Sequence, residues 1–345
     1  MSDHAHSGEL LDSEEAIIGQ FVPLAAAAAG AFALQDDCAL LAPPAGCELV
    51  LKTDPIAEGV HFLVGEEPQD VGWKALAVNV SDLAAKGAAP AHYLLALSFP
   101  TAPRLSWVQG FAKGLRTAQE RFGCHLIGGD TDRRPGPVTI AITLIGTVPQ
   151  GRMVRRGTAH AGDGLFVSGT LGDAALGLAL LRDPTRAGAW SLSADMVEHL
   201  EHRYRRPQPR LALAGALREH ASAAMDLSDG LAKDLARLCR ASACGGQVRL
   251  AELPLSPSAA RSVASDRSQY QAVLAGGDDY EILASVPPQH QTAFQRSAAA
   301  AGIAVTRIGS LTLGSGISIE ADDGGRLDLA PSGWDHFATP GRDRG

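Results

Sequence analysis

The sequence predicts an α/β protein of two domains. At 345 residues the chain exceeds the size of one ordinary hydrophobic core, and strand-like segments alternate with helix-like segments along most of it. Near residue 151 the sequence becomes basic and poor in large apolar side chains, as is typical of a crossing between domains. Hydrophobic residues make up 46% of the chain and charged residues 20%, which is typical of a soluble globular protein.

The first domain, residues 1–150, is predicted to begin with a helix. Ser13 is a suitable N-cap, and the alanine-rich run 24–34 is predicted to be the end of that helix. This run is far shorter than the roughly 20 apolar residues of a membrane span. Apolar periodicity then predicts a strand at 48–53, a helix at 70–85, a strand at 92–99, a helix at 106–122 capped by Ser106, and a strand at 138–148.

The second domain, residues 151–345, contains another α/β series. The predicted elements are a strand at 165–168, helices at 172–181 and 210–220, a strand at 223–226, a helix at 231–241, a strand at 282–286 and a helix at 289–301. No short-period repeat is visible in either half.

Composition excludes several classes of function. The net charge of -8 argues against nucleic-acid binding, because basic faces hold phosphate backbones. The five cysteines form no CxxC pair, so neither a zinc site nor a disulfide framework is predicted. Acidic residues precede the alanine-rich run, where a signal peptide would carry basic ones. We therefore expect a cytoplasmic protein without nucleic-acid or membrane partners.

Acidic residues cluster at the ends of the predicted strands and in glycine-rich turns, whereas surface acids usually scatter along helix faces. The clustered acids are Asp36, Asp37, Asp54, Asp82, Asp130, Asp226, Asp229, Asp278, Asp279 and Glu281. Each one alone is better explained by capping a turn than by binding a metal. Together they predict shared cations, because α/β folds bind ligands at strand ends and buried acids need partners. Oxygen ligands favour Mg²⁺, which commonly binds together with substrate phosphates.

Glycines in the same segments agree with a phosphate ligand. The pairs are Gly128-Gly129, Gly169 with Gly172, and Gly276-Gly277. Glycine allows backbone N–H groups to approach an anion closely, although ordinary turns explain each pair equally well. The sequence contains neither the Walker A pattern nor the motif set of protein kinases. A phosphoryl-transfer enzyme with this sequence would therefore belong to neither common class.

Eight motifs occur in a specific order along the chain. They are QDDCALL, KTDPIAEGVHF, KALAVNVSDLAAKGAAP, LIGGDTDR, GDGLFVSGTLGD, AMDLSDGLAKDL, GGDDYEIL and GWDHF. The ordered set, from about Gln35 to Phe337, resembles the thiamine-monophosphate kinase family. That family shares the fold of aminoimidazole-ribonucleotide synthetases, selenophosphate synthetases and hydrogenase-maturation proteins.

The resemblance implies a two-domain PurM-like fold of the α/β (α+β) type, with N-terminal sheets paired in a homodimer and ATP in the cleft. The implied ligands of several Mg²⁺ ions are Asp37, Thr53, Asp54, Asp82, Asp130, Asp226 and Asp229. The implied ATP contacts are Gly129, Asp130, Arg156 and Ser228. The implied contacts to thiamine monophosphate are His61, Glu281 and Trp334. The implied reaction is metal-assisted transfer of the γ-phosphoryl group of ATP to thiamine monophosphate, without a residue acting as acid or base.

Two positions depart from the family pattern. Gln35 replaces the usual glycine before the aspartate pair, and Lys52 replaces the usual Ser or Thr before Thr53 and Asp54. A charged lysine cannot ligate Mg²⁺, so Lys52 either faces a phosphate in place of a cation or is a solvated lysine at a strand end.

Two other functions stay open at this point. One is a different ATP-dependent reaction of the same superfamily, although no Cys precedes Cys38 for selenophosphate synthesis and the chain ends in GRDRG without the Cys of hydrogenase maturation. The other is a nucleotide-binding regulatory module without catalysis.

Overall fold

The computed structural model describes residues 9–321 and 325–327. It divides into two compact units, Met1–Met153 and Val154–Gly345. Each unit is an α/β structure built on its own sheet. The α/β prediction for both halves of the chain is therefore confirmed.

A four-stranded sheet forms the centre of the first unit. Its strands are β1 (Cys47–Ala57), β2 (Ala89–Phe99), β3 (His125–Arg133) and β4 (Thr139–Pro149), in the spatial order β1-β4-β2-β3. Only β2 and β3 run parallel, and the long helix α4 (Leu105–Phe122) connects them. A second long helix, α3 (Pro68–Ala85), connects β1 to β2. Glycines at 72 and 114 allow α3 and α4 to pack closely, since an added Cβ on either would meet backbone atoms of the other helix within 3 Å.

The start of the chain differs from the predicted single helix. Ser13 does cap α1 (Glu14–Gly19), its hydroxyl accepting a hydrogen bond from the amide of Ala16 at 3.1 Å. The helix ends at Gly19, however, and the alanine-rich run is divided between α2 (Val22–Ala25) and the 3-10 helix Ala29–Leu34. Alanine alone did not keep this run helical, because its small side chains pack as a separate cluster on β3 and β4.

Among the described residues of the second unit, seven strands form one sheet. They are β5 (Gly164–Ser168), β6 (Ala223–Asp226), β7 (Gly245–Arg249), β8 (Ile282–Val286), β9 (Val305–Thr312), β10 (Gly316–Glu320) and β11 (Arg326–Leu327), in the spatial order β11-β10-β7-β9-β5-β8-β6. The helices are α5 (Asp173–Arg182), α6 (Arg186–Ala189), α7 (Ala194–Arg205), α8 (Ala214–His220), α9 (Leu231–Ala241), α10 (Pro257–Ser265), α11 (Tyr270–Ala275) and α12 (Gln291–Ala300). Short 3-10 helices lie at Leu211–Leu213, Leu250–Glu252, Arg267–Gln269 and Pro288–His290.

Helix α9 shows how this unit forms its core. Leu231, Leu235 and Leu238 recur at helical spacing, and all three are buried in one cluster with residues of the sheet. The predicted bounds of α9, β6 and β8 agree with the structure. Local sequence patterns did not predict α6, α7, α10 and α11, the strands β7, β9, β10 and β11, or β3 of the first unit.

Two details of the first unit differ from what its sequence predicts. Helix α4 begins at Leu105 with Arg104 at its N-cap and no side-chain cap, so Ser106 lies inside the helix. Gly128 and Gly129 lie within strand β3 and not in a turn, because the parallel pairing with β2 continues through them to Arg133.

No helix among residues 9–321 and 325–327 is long and apolar enough to cross a membrane.

Candidate active site

Strand alternation divides the predicted ligands of the first unit between the two faces of its sheet. In β1, the buried Val50 and Ile56 share the face of Lys52 and Asp54, which we call the inner face. Thr53 alternates to the opposite face, the outer face, where Leu51 is 64% exposed.

Lys52 lies between two of the predicted metal ligands on the inner face. Its Nζ is 3.0 Å from Oδ2 of Asp54 and 2.8 Å from Oδ2 of Asp82, which is near the end of α3. Asp82 is 19% exposed at its side chain and Lys52 is 30% exposed. Burial lowers the pKa of Lys52, but attraction to Asp82 and then Asp54 outweighs it, so the pKa is raised above the ordinary value. Lys52 is therefore held as a cation in contact with both carboxylates.

A buried asparagine fixes the backbone at this point. Oδ1 of Asn79 accepts a hydrogen bond from the amide of Asp54 at 3.0 Å, and its Nδ2 donates to the carbonyl of Ala75 at 3.1 Å. Asn79 has no exposed surface. Strand β1 and helix α3 are thus tied together where their carboxylates meet.

The outer face carries a second group of predicted ligands. The hydroxyl of Thr143 donates a hydrogen bond to that of Thr53 at 3.0 Å. Asp130 of β3 is exposed and pairs in register with Ala96 of β2, in the same row as Pro55 of β1. Since three strand spacings of about 4.8 Å separate β1 from β3, Asp130 lies about 14 Å across the sheet from β1. The amide of Thr131 donates to Oδ1 of Asp130 at 2.9 Å.

The segment that carries Asp37 packs on the outer face of the sheet. Leu34 and Leu41, on either side of it, pack against Ile127 of β3 and Ile145 of β4. Asp37 itself is exposed. The residue Gln35 has φ -103° and ψ -3°, which any residue adopts, so the local fold does not require a glycine there.

Gly129 is required by the close approach of β2. A Cβ added to it would lie 1.9 Å from the carbonyl oxygen of Leu95. Its role in the structure is to allow this parallel pairing, in contrast to the phosphate-binding turn that the sequence predicted. Contact between ATP and Gly129 stays a prediction.

His61 lies just after β1, in a tight turn. Its Nδ1 accepts a hydrogen bond from the amide of Ala57 at 3.0 Å, so Nδ1 carries no proton. The ring is half-buried. The turn therefore fixes the orientation of the imidazole.

In the second unit, Asp226, Ser228 and Asp229 lie together at the carboxyl end of β6. Asp226 is 5% exposed. The fully buried Asp234, from the first turn of α9, accepts hydrogen bonds through Oδ2 from the amides of Ser228 at 3.1 Å and Asp229 at 2.9 Å. Burial raises the pKa of Asp234 to about 6. This carboxylate fixes the loop that carries Ser228, a predicted ATP contact, and Asp229, a predicted metal ligand.

Basic side chains cover Asp229. Its Oδ2 is 2.5 Å from Nη1 of Arg237 and 3.6 Å from Nζ of Lys233. The same Nη1 of Arg237 reaches Oδ1 of Asp234 at 2.8 Å. Asp229 is thus paired with cations of the protein, as Asp54 and Asp82 are.

The segment 276–281 pairs with this loop. The amide of Asp278 donates to the carbonyl of Ser228 at 3.0 Å, and the amide of Leu227 donates to the carbonyl of Glu281 at 2.8 Å. Asp278 and Tyr280 have positive φ values of 70° and 50°, a backbone conformation that side chains other than glycine seldom adopt. Such strain is retained where the surroundings determine the conformation, often at functional sites.

Glu281 is fully buried, and both oxygens of its carboxylate are engaged. Arg203 donates to Oε1 at 2.9 Å, Arg210 donates to both oxygens, and the hydroxyl of Ser168 donates to Oε2 at 2.6 Å. The geometry gives Glu281 the part of an anchor for the loops. Its predicted contact with thiamine monophosphate stays a prediction.

The predicted ATP contacts Arg156 and Ser228 lie at opposite ends of α9. The carbonyl of Arg156 accepts a hydrogen bond from Ser242 at the C-terminal end of α9. Ser228 lies before the N-terminal end of this 11-residue helix, about 16 Å away along its axis. Trp334 lies outside the described residues.

The donor set fits Mg²⁺ in its chemistry, since all the predicted ligands offer oxygen atoms. Within residues 9–321 and 325–327, no three His, Cys, Asp or Glu side chains converge on a point that could hold a metal ion. Between Asp54 and Asp82, the ammonium of Lys52 takes the central place.

Several residues that organise the candidate site had not been predicted from the sequence: Asn79, Ser168, Arg203, Arg210, Asp234 and Arg237. Asp234 had a signal, because an acid in the first turn of a helix commonly caps the preceding loop. Arg203 belongs to α7, which was not predicted, so no local pattern indicated its contact with Glu281.

Comparisons with protein families cover most of the chain. Residues 35–148 match the model described as AIR synthase related protein, N-terminal domain, and residues 160–322 match the corresponding C-terminal domain. The thiamine-monophosphate kinase of Escherichia coli K12 is 40% identical over 305 residues, which are 88% of this chain and 91% of that protein. The enzyme of the same name from Caulobacter vibrioides is 41% identical over 88% of this chain and 84% of its own length.

Solved structures agree with the sequence relatives. The thiamine-monophosphate kinase of Stenotrophomonas maltophilia has a TM-score of 0.76 and 39% identity, over 85% of this chain and 91% of that one. The structure described as AaThiL complexed with AMPPCP and TMP has a TM-score of 0.75 and 32% identity, over 86% and 89% of the two chains. Escherichia coli HypE, at 20% identity and a TM-score of 0.76, shares the fold. This chain belongs to the thiamine-monophosphate kinase family of AIR synthase related proteins.

Proposed function

We propose that this chain transfers the γ-phosphoryl group of ATP to thiamine monophosphate, giving thiamine diphosphate and ADP. The observation that carries the proposal is the likeness, at 32% identity over most of both chains, to a protein complexed with AMPPCP and TMP. Relatives at 40% and 41% identity carry the name of the same kinase.

The acceptor chemistry explains what the site must do. A phosphate monoester has its second pKa near ~6, so the acceptor is largely dianionic at neutral pH and attacks without a general base. The obstacle is repulsion between two polyanions, and Mg²⁺, when bound, would neutralise phosphate charge. The residues proposed to hold it are Asp37, Thr53, Asp54, Asp82, Asp130, Asp226 and Asp229.

The second unit contributes a preorganised loop. Asp234 fixes the amides of Ser228 and Asp229, and Glu281 holds the amide of Leu227 through its carbonyl. A loop fixed in this way would hold the backbone that carries Asp226 and Asp229 in place during the reaction. ATP is proposed to contact Gly129, Asp130, Arg156 and Ser228, and thiamine monophosphate to contact His61, Glu281 and Trp334.

We also propose that two chains pair through the outer face of the first unit. Leu49, Leu51 and Leu94 on this face are 39%, 64% and 37% exposed, which favours burial against a second copy. A homodimer mass in analytical ultracentrifugation, reduced to that of one chain by Leu51→Arg, would support this pairing. A single-chain mass for the unmodified protein at every concentration would contradict it. The proposed site of action is the cytoplasm.

The test of the reaction is direct. Purified protein is incubated with ATP, Mg²⁺ and thiamine monophosphate, and thiamine diphosphate and ADP are measured together. We expect equal amounts of both products, and none when EDTA removes the metal. ADP without thiamine diphosphate would indicate another acceptor, and bound ATP without either product would indicate a regulatory module.

Asp226→Asn tests the metal-holding role within that assay. We expect a large loss of turnover at limiting Mg²⁺, because the variant lacks a carboxylate at the end of β6. Asp195→Asn, which changes an exposed acid of α7, is the matched control and should retain normal turnover. Near-normal turnover of Asp226→Asn would contradict the assignment.

A further inference from the structure

We infer that the ammonium of Lys52 replaces a divalent metal ion at the Asp54–Asp82 carboxylate pair. The inference rests on the proposed function, in which these carboxylates line a site for phosphates and metal ions. It narrows that proposal, because it assigns the Asp54–Asp82 pair a cation that belongs to the chain and leaves the divalent ions to the other proposed ligands.

The geometry at the pair is that of a cation held by two carboxylates. The same Nζ contacts one carboxylate from β1 at 3.0 Å and one from α3 at 2.8 Å. These are distances of charge-assisted hydrogen bonds. An ammonium group has three N–H donors, and two of them suffice for Asp54 and Asp82. The side chain of Lys52 is 30% exposed.

The position of Lys52 is fixed by the fold. Strand alternation places it on the inner face between the buried Val50 and Ile56. Asn79 secures the adjacent backbone to α3, which carries Asp82. A lysine at a frayed or solvated strand end would lack these constraints.

A divalent ion would compete for the same oxygen atoms. Mg²⁺ requires oxygen ligands at about 2.0–2.1 Å, and here both Oδ2 atoms already face the ammonium. Two cations sharing these oxygens would repel each other at short range. The lysine also changes the charge of the site, since one positive charge leaves the pair at -1, whereas a divalent ion would neutralise it.

The number of bound divalent ions tests the inference without relying on turnover. Mn²⁺ serves as the probe, and the ions bound per chain are counted by electron paramagnetic resonance in the presence of AMPPCP. We expect Lys52→Thr to bind one Mn²⁺ more per chain than the unmodified protein. Lys113→Thr, which removes an exposed lysine from α4 of the same unit, should bind the unmodified number.

Two further variants separate charge from folding. Lys52→Met keeps an unbranched side chain of similar length, so it should preserve packing and also gain one ion. Lys52→Arg keeps the cation and should bind the unmodified number. An unchanged count in both Lys52→Thr and Lys52→Met, with thermal unfolding showing that they are folded, would overturn the inference.

Turnover measured in parallel separates this inference from the proposed function. If the unmodified protein forms thiamine diphosphate, and Lys52→Thr and Lys52→Met bind the same number of Mn²⁺ ions per chain as it does, the inference fails and the proposed function stands. If Lys52→Thr gains an ion but the unmodified protein forms no thiamine diphosphate, the replacement stands and the proposed function fails.

Discussion

Replacing Glu281 by glutamine tests whether this residue anchors the second unit. Glutamine has nearly the same shape, but its NH₂ group would face arginine donors and the negative charge would be lost. Arg203 and Arg210, whose side chains are 9% and 23% exposed, would then be left without their buried counter-charge. Removing one partner of a buried ion pair costs about 3–5 kcal/mol. At about 2–4 °C per kcal/mol for a unit of this size, the expected loss is about 6–20 °C in Tm.

The assay is thermal unfolding followed by calorimetry, with Glu201→Gln as the matched control. Glu201 pairs with Arg205 at 2.9 Å on the surface of α7, so its replacement should cost only about 0.2–1 kcal/mol. A Tm for Glu281→Gln within about 2 °C of the unmodified protein would refute the reasoning. A normal Tm together with a raised KM for thiamine monophosphate would instead favour direct substrate contact.

Three further changes test other parts of the structure. Gly129→Ala would place its Cβ 1.9 Å from the carbonyl oxygen of Leu95, so we expect β2 and β3 to separate locally and the Tm to fall. Gly19→Ala is the control, because its Cβ would meet no atom within 4 Å. Equal Tm values for the two variants would contradict the prediction. Burial raises the pKa of Asp279 to about 8, whereas its value in the unfolded chain is ~3.9. The free energy of unfolding should therefore fall as the pH rises from the unfolded pKa to the folded pKa. Denaturant titrations at several values from pH 5 to pH 8 give the free energy of unfolding, which should depend less on pH in Asp279→Asn than in the unmodified protein. The same pH dependence in both proteins would count against the raised pKa of Asp279. Asp234→Ala should lower kcat/KM by about 10–100-fold, because the loop at 228–229 would lose the carboxylate that positions it. Asp234→Asn should lower kcat/KM less, because its side-chain oxygen can still accept a hydrogen bond. Equal kcat/KM values for the two variants would argue against a positioning role for Asp234.

Periodicity in the sequence predicted much of the framework. Strand β8 and helix α9 were predicted with the observed bounds, because apolar runs with clear ends identify buried elements well. The alanine-rich run was misjudged, since alanine favours helices but also fits close packing against a sheet. Gly129 was placed in a turn, because its need for space arises from a strand distant in sequence.

The site was predictable in its residue types but not in its pairings. The sequence identified Lys52 as a departure, yet its two carboxylate partners follow from the packing of α3 on β1. Glu281 was recognised, whereas its arginine partners lie 71 and 78 positions away in the chain. Such contacts are set by tertiary structure, which local patterns do not encode.

The two-residue period of β1 limits how this segment can change length. Deleting Leu51, for example, would put Val50 in its place beside Lys52 and turn over the side chains of the strand that precede it. The buried Val50 would then point to the outer face, where Leu51 is now exposed. Losing two would leave both faces as they are. Viable length variants should therefore differ by even numbers within β1, whereas the irregular segment 42–46 before it should not be restricted to even numbers.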